Sequence, residues 1–276
     1  MDSLFAAMLQ DTALQKLQAC FSGKADENLA YGLSGSQKHV AFAAAFSRAP
    51  QPFVILVHNH EAVNEWREDL LALLPAVQIV ELPELDMASV QAEVRSLERS
   101  ARRMDVLGRL VRKEPVIVLA TSAAAVQKGM SRNEFQRLSL TIQIGAELER
   151  DKLIARLVQL GYEHADEVER VGQFSTRGGI IDIYAINAQT PVRIEFFDNT
   201  IDSLRDFDLA TKRSTSNVST TTILPLAQTD KDGRPELFLT YLEQRGVVLF
   251  DEPMRIREQI RTMIKENPDK IGRAHV

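Results

Sequence analysis

Pro52-Phe53-Val54-Ile55-Leu56-Val57 is an unbroken apolar run. A strand with one wet face alternates polar and apolar residues. A continuous run marks a strand covered on both faces, the kind found in parallel sheets. Pro115-Val116-Ile117-Val118-Leu119-Ala120 repeats the pattern, and Val77–Leu82 reads as a strand between the two. Asn64–Leu74 places Trp66, Leu70 and Leu73 on one helical face. Gln91–Arg112 is a long charged helix, and Ser122–Gln127 opens another. Strands alternating with helices specify a doubly wound α/β layer over roughly residues 25–135. Upstream, Leu9, Leu14, Leu17 and Phe21 recur at helical spacing and predict one amphipathic helix over 5–21. An Ala-rich helix, Val40–Phe46, precedes the first strand.

The pattern changes near Ser139. Leu140–Ile144 alternates as a strand, and Arg150–Leu160 is a helix closed by Gly161-Tyr162. Gly172–Phe174, Gly179–Ile183, Val192–Phe197 and Ile201–Phe207 are short β segments joined by tight turns. They predict an α+β unit with an antiparallel sheet, with Asp198-Asn199 as a hairpin turn. Lys212–Thr222, with seven Ser/Thr residues, is an edge strand or a linker back to the first domain. Val247–Phe250 is a further apolar strand, followed by Asp251-Glu252-Pro253 and a helix to about Lys265.

Composition narrows the function classes. The 276 residues carry 33 Lys+Arg against 38 Asp+Glu, a net charge of -5, with 45% apolar residues. Such values fit a soluble globular chain of about two domains. They argue against a chain that simply coats nucleic acid, which needs a basic surface. Cys20, the sole cysteine, can form neither an internal disulfide nor a thiolate cluster. His58 and His60, two apart at the end of a strand, have no cysteine or acidic partner at metal-ligand spacing, so no metal is expected. The N-terminus lacks the basic start and apolar core of a signal peptide, and no run approaches the ~20 residues of a membrane span. A cytoplasmic monomer is the expectation.

Gly32-Leu33-Ser34-Gly35-Ser36-Gln37-Lys38-His39 has the outline of a phosphate-binding loop. The working pattern is Gly, four residues, Gly-Lys, then Ser or Thr. Gly32 and Lys38 are in register, whereas Gln37 stands at the second Gly position and His39 at the Ser/Thr position. The Gln places a side chain where backbone N–H groups must approach phosphate. Imidazole is a poor substitute for the hydroxyl oxygen that Mg²⁺ prefers. Asp251-Glu252 resembles the acidic partner of such a loop. An intact ATPase site, a residual anion site and a purely structural turn are the three readings, and the turn is favoured. Gly32, Gly35, Gln37, Lys38 and His39 are therefore a vestigial loop.

The loop resembles that of the nucleotide excision repair protein UvrB, degraded at two positions. Phe174-Ser175-Thr176-Arg177-Gly178-Gly179-Ile180-Ile181-Asp182-Ile183-Tyr184 looks like the opening of the UvrA-binding sheet of that superfamily. Pro191-Val192-Arg193-Ile194-Glu195-Phe196-Phe197-Asp198 and Ile201–Asp208 look like its continuation. A UvrB-like layout with a broken phosphate loop is similar to the N-terminal region of the bacterial transcription-repair coupling factor family (Mfd), from about residue 25 to about 265. UvrB carries an aromatic-rich hairpin before the third strand. Leu82–Pro115 has no aromatic residue, and a base-stacking wedge needs one or a bulky apolar side chain.

The resemblance implies a degenerate P-loop NTPase-like parallel-sheet domain with an inserted α+β UvrA-binding domain. Its divisions are 1–24, an N-terminal helix; 25–138, the first part of the α/β domain; 139–228, the inserted domain; and 229–270, the returning part. Ile271-Gly272-Arg273-Ala274-His275-Val276 lacks family character and reads as an artefactual tail of a truncated record. The family's UvrA-binding residues fall on Arg177, Arg193 and Phe197. Independently, Arg193, Glu195 and Phe197 alternate along one strand and project from one face. If Ile194 and Phe196 face the core, Phe197 is left on the open face, and an exposed Phe beside arginines suits a partner surface. Gly178-Gly179 is read as a turn or bulge. Arg99, Arg102, Arg103 and Arg109 are read as a solvated helix face.

The expected function is a non-catalytic module recruiting UvrA where RNA polymerase has stalled, with no cofactor of its own. In the family, RNA polymerase, DNA, ATP and Mg²⁺ engage later domains. The alternative is an active UvrB-type ATPase or helicase fragment.

Overall fold

The computed structural model describes residues 2–22, 28–85, 93–226 and 235–266. In chain order these form helices α1 (Asp2–Met8), α2 (Thr12–Ser22) and α3 (Gln37–Phe46), strand β1 (Phe53–Val57), α4 (His60–Leu73), β2 (Gln78–Glu81), α5 (Glu93–Val111), β3 (Val116–Thr121), α6 (Ser122–Val126), β4 (Lys128–Gly129) and α7 (Arg132–Leu138). There follow β5 (Leu140–Gln143), α8 (Arg150–Gln159), β6 (Glu163–His164), β7 (Gln173–Arg177), β8 (Ile180–Ile183), β9 (Val192–Phe197), β10 (Thr200–Phe207), β11 (Ser214–Asn217) and β12 (Thr220–Ile223). β13 (Glu236–Leu237), a 3₁₀ helix (Phe238–Arg245), β14 (Val247–Phe250) and α9 (Pro253–Glu266) complete them. The chain divides into two compact units: Met1–Glu84 with Arg109–Lys128 and Leu237–Val276, and Leu85–Gly108 with Gly129–Glu236.

Unit 1 is built on a parallel sheet of order β14-β1-β3-β2. Phe53 pairs in register with Val247 on one side and Ile117 on the other. Every residue of β1 and β3 is buried, as their unbroken apolar runs require. Phe42 and Phe46 of α3, Phe53 of β1 and Trp66 of α4 form a tight aromatic cluster. Phe42 lies 5.3 Å from Phe53 and 5.6 Å from Trp66, both edge-on, the arrangement ring quadrupoles favour.

Three helix boundaries depart from expectation, and one is the start of α4, at His60 rather than Asn64 because the Asn59 side chain caps it. The single N-terminal helix is two, because the Asp11 carboxylate accepts the Ala13 and Leu14 N–H groups (2.7 and 3.2 Å) and starts α2 afresh. α3 begins at Gln37 rather than Val40. Gly32 and Gly35 take the left-handed region (φ +81° and +53°) and fold the chain sharply into the helix. Gln37, Lys38 and His39 are thus its first turn.

Unit 2 holds a six-stranded sheet of order β11-β10-β9-β8-β7-β6. It is antiparallel as expected except at its edge, where β6 runs parallel to β7. β9 and β10 form a hairpin with Phe197 opposite Thr200, and Asp198 at φ +52° turns the chain. Ser214–Asn217 is the edge strand, so the Ser/Thr-rich segment pairs with β10. Thr220–Ile223 pairs with β5. One side of the sheet is core: Phe174, Ile181, Ile183, Ile194, Ile201 and Leu204 are at most 1% exposed. Leu153 and Leu157 of α8 are buried as well. Tyr162 is buried with its hydroxyl donating to the Leu224 carbonyl (2.9 Å), and burial pushes that phenol well above its ordinary pKa.

The charged helix α5 corrects another expectation. Arg103 is only 1% exposed. It stands in register with Val106, Leu107 and Leu110, all buried, at the i, i+3, i+4, i+7 spacing of a buried stripe. It is not part of a solvated face. Residues 86–92, seven of the 34 set against UvrB's hairpin, lie outside the described residues.

Candidate functional site

The structure builds two places where basic residues gather, one in each unit. In unit 1, β1 and β14 end side by side, and the Asp251 N–H donates to the Leu56 carbonyl (2.9 Å). Open α/β sheets bind ligands outside the carboxyl ends of their strands. A depression of about 600 Å³ lies there, lined by Gly35, Ser36, Lys38 and His39 of the vestigial loop, with residues of α4 and the β14–α9 turn.

Most of its charged groups are paired with one another, although among the described residues His39 Nε2 and His58 Nδ1 are buried without a hydrogen-bond partner. Lys38 Nζ donates to both Asp251 carboxylate oxygens (2.9 and 2.6 Å), and buried Trp66 Nε1 donates to the same carboxylate (2.8 Å). His39 Nδ1 lies 2.5 Å from Asp69 Oδ2, with its ring centroid 4.1 Å from that of Trp66. Hydrogen bonds from His39 and then Ser36 hold the Asp69 carboxyl below the usual range. Glu61, Glu65, Glu68, Asp69, Asp251 and Glu252 face Lys38 and Arg255 across the depression. The excess of carboxylates makes the local field repulsive to a polyphosphate. Glu252 itself takes a left-handed φ of +56°. Among the described residues no group of three or more His, Cys, Asp or Glu side chains is placed to hold a metal ion.

Unit 2 carries the second gathering on the face of its sheet opposite the core. Strand pairing places Arg177 beside Ile180, and Ile180 beside Glu195. Asp182 stands beside Arg193, and Arg193 beside Arg205. Paired residues share a face. Arg177, Arg193, Glu195, Phe197 and Arg205 therefore share one surface. Phe197 is 72% exposed there, while its neighbour Ile194 is fully buried.

The arginines of this face are treated differently. Arg193 donates from Nε and Nη2 to the two oxygens of Asp182, both at 2.7 Å. Its guanidinium also lies 5.0 Å from the Phe207 ring centroid. The Asp182 hydrogen bond, reinforced by the charges of Asp182 and Glu195, raises the Arg193 pKa. Arg205 lies 3.6 Å from Glu195, which also accepts a bond from Ser203 Oγ (2.8 Å). Arg177 is exposed at the end of β7 and makes no side-chain hydrogen bond or ion pair among the described residues. The hairpin that carries it turns at Gly178, φ +55°. A Cβ on the next glycine, Gly179, would lie 3.1 Å from the Phe196 carbonyl oxygen. The glycine pair thus suits the turn, Gly178 by its left-handed φ and Gly179 by its close approach to Phe196.

The residues singled out in the sequence separate into these two groups. Gly35, Lys38 and His39 line the depression of unit 1. Arg177, Arg193 and Phe197 come together on the sheet of unit 2. Sequence reasoning passed over Asp182 as the partner of Arg193, and Ser203 and Arg205 as neighbours of Glu195. The available signal was the β8–β9 register, which needs both strands to be aligned before cross-strand pairs can be read.

Comparison with known proteins agrees with the resemblance read from the sequence. Residues 140–228 match the UvrB interaction domain. The chain is 38% identical over 200 residues to the transcription-repair-coupling factor of Bacillus subtilis strain 168, covering 72% of this chain and 17% of that protein. To the factor of Staphylococcus aureus strain USA300 it is 30% identical over 220 residues, 79% of this chain and 18% of that protein. The chain thus spans less than a fifth of the length of these relatives. Among the described residues no helix is long and apolar enough to cross a membrane.

Proposed function

We propose that this chain, a homologue over most of its length of part of the transcription-repair-coupling factors, is a non-catalytic recruitment module that binds UvrA through Arg177, Arg193 and Phe197. The observation that carries the reading is Phe197, 72% exposed on a sheet face that also presents three arginines, Arg177, Arg193 and Arg205. An exposed ring beside guanidinium groups suits an interface, where Arg and aromatic side chains form hot spots. The match of residues 140–228 to the UvrB interaction domain supports the same surface.

In this reading the module brings UvrA to lesions at which RNA polymerase has stalled. Polymerase, DNA and ATP are engaged by parts of the longer proteins beyond this homologous stretch. The module works in the cytoplasm as a monomer and needs no nucleotide or metal of its own. The depression of unit 1 supports the lack of a nucleotide, because Lys38 is committed to Asp251 and carboxylates outnumber cations in the remaining walls. An ATPase reading would require Lys38 to exchange Asp251 for phosphate in a site of opposing charge.

Co-migration of the purified chain with purified UvrA in size-exclusion chromatography tests the proposal. The wild-type chain should shift into the UvrA peak. Arg177→Ala, Arg193→Ala and Phe197→Ala should each reduce the shifted fraction with circular dichroism unchanged. A wild-type chain that stays free, or three variants that all shift as wild type, refutes it. Micromolar, Mg²⁺-dependent ATP affinity lost in Lys38→Ala would instead establish the ATPase alternative.

A further inference from the structure

We infer that Asp182 is a positioning residue of the recruitment face: it holds Arg193 in the orientation in which Arg193 meets the partner. The inference rests on the reading that Arg193 binds UvrA.

The register creates the need. Arg193 and Arg205 stand directly opposite each other on β9 and β10, and like charges so placed repel. Two carboxylates are available on the same face. Asp182 is across β8 from Arg193, and Glu195 is two residues along β9. The structure divides them, Asp182 to Arg193 at 2.7 Å and Glu195 to Arg205 at 3.6 Å. Glu195 still contributes to the raised pKa of Arg193, so its charge reaches that guanidinium as well. Without Asp182, Glu195 becomes the nearest competing carboxylate on the sheet, and the guanidinium swings along β9 towards it.

The geometry of the pair leaves Arg193 able to bind something else. A guanidinium has five N–H donors. Asp182 engages Nε–H and one N–H of Nη2, which leaves both Nη1 protons and the second of Nη2. The guanidinium carbon lies 5.0 Å from the Phe207 ring centroid, a cation–π contact that gives the group a second hold. The side chain is 20% exposed and that of Asp182 15%, so the pair is largely covered while part of it stays open to solvent. A fork held in this way has lost its rotamer freedom before the partner arrives, which lowers the entropy lost on binding. Its free donors suit a carboxylate or a cluster of carbonyl oxygens on the partner.

The test is a double-mutant cycle of UvrA affinity on the intact chain, using Asp182→Asn, Arg193→Ala, both together, and Asp182→Glu. Asp182→Asn keeps the shape and one acceptor but removes the charge. It should weaken binding about five- to tenfold, within the range of couplings between contacting residues. In the Arg193→Ala background the same change should have no effect, and Asp182→Glu should recover most of the affinity. Equal losses from Asp182→Asn with and without Arg193 overturn the inference, since the aspartate would then act independently. Wild-type affinity in Asp182→Asn also overturns it. In either of those cases a weakened Arg193→Ala leaves the recruitment reading standing. Absence of binding by the wild-type chain overturns both.

Discussion

Lys38 in unit 1 and Arg193 in unit 2 have much in common. Each is a cation on a regular element, each is bonded to both oxygens of one aspartate, and their side chains are 24% and 20% exposed. Their surroundings differ. The Asp251 carboxylate that holds Lys38 also binds Trp66, and the walls beyond are carboxylates. An ammonium in that setting is a structural strut. Arg193 keeps free donors because its group is a fork, and its surroundings include Arg177, without a side-chain partner among the described residues, and an exposed phenylalanine. An ion pair alone therefore does not separate a spent site from a working one. What separates them is the sign of the neighbouring charge.

The comparison can be broken most forcefully at two positions of β9. Ile194→Ala removes a fully buried side chain and should cost about 2–5 kcal/mol of unfolding free energy. Phe197→Ala, a larger truncation three residues on, should change stability by no more than about 0.5 kcal/mol because the ring is exposed. Urea titration of both variants checks the pair, and a large loss in Phe197→Ala would show that the ring is structural.

A smaller effect belongs to the strut. Asp251→Ala leaves Lys38 and buried Trp66 Nε1 without their acceptor and should destabilise by about 1–3 kcal/mol in thermal or chemical unfolding. It should not create ATP binding, because five of the six carboxylates remain. Tight, Mg²⁺-dependent ATP binding in this variant would show that the site is only masked by Asp251.

Smaller again is the pH dependence at Asp69. Its carboxyl is held below the ordinary carboxylate range in the fold, first by the His39 hydrogen bond. A depressed acid contributes stability above its unfolded pKa and loses it as pH falls through the folded value. The stability gap between the wild type and Asp69→Asn should therefore be present at pH 6 and close below about pH 4. A gap that widens on acidification would contradict the assignment. The side chain is partly exposed, so the gap is modest.

Much of this was legible in the sequence. The runs at Phe53–Val57 and Val116–Thr121 signalled a parallel sheet because burial on both faces leaves no room for polar positions. Alternation along Val192–Phe197 placed Ile194 inside and Phe197 outside, as the structure has them. What escaped the sequence depended on contacts between distant segments. Asp182 acquires its meaning only from its place opposite Arg193. Lys38 meets Asp251 across 213 positions of chain, so whether it was free or spent was not written locally. The burial of Arg103 escaped because charge was weighed above its helical register with Val106, Leu107 and Leu110.

The claim that the open sheet face of unit 2 is the recruiting surface is tested most directly by calorimetric titration of UvrA into the wild-type chain and into Phe197→Ala. The account predicts a saturable wild-type isotherm and a loss of about 1–3 kcal/mol of binding free energy in the variant, with unfolding midpoints that coincide. Equal affinities for the two chains, or no heat of binding with the wild type, would contradict it.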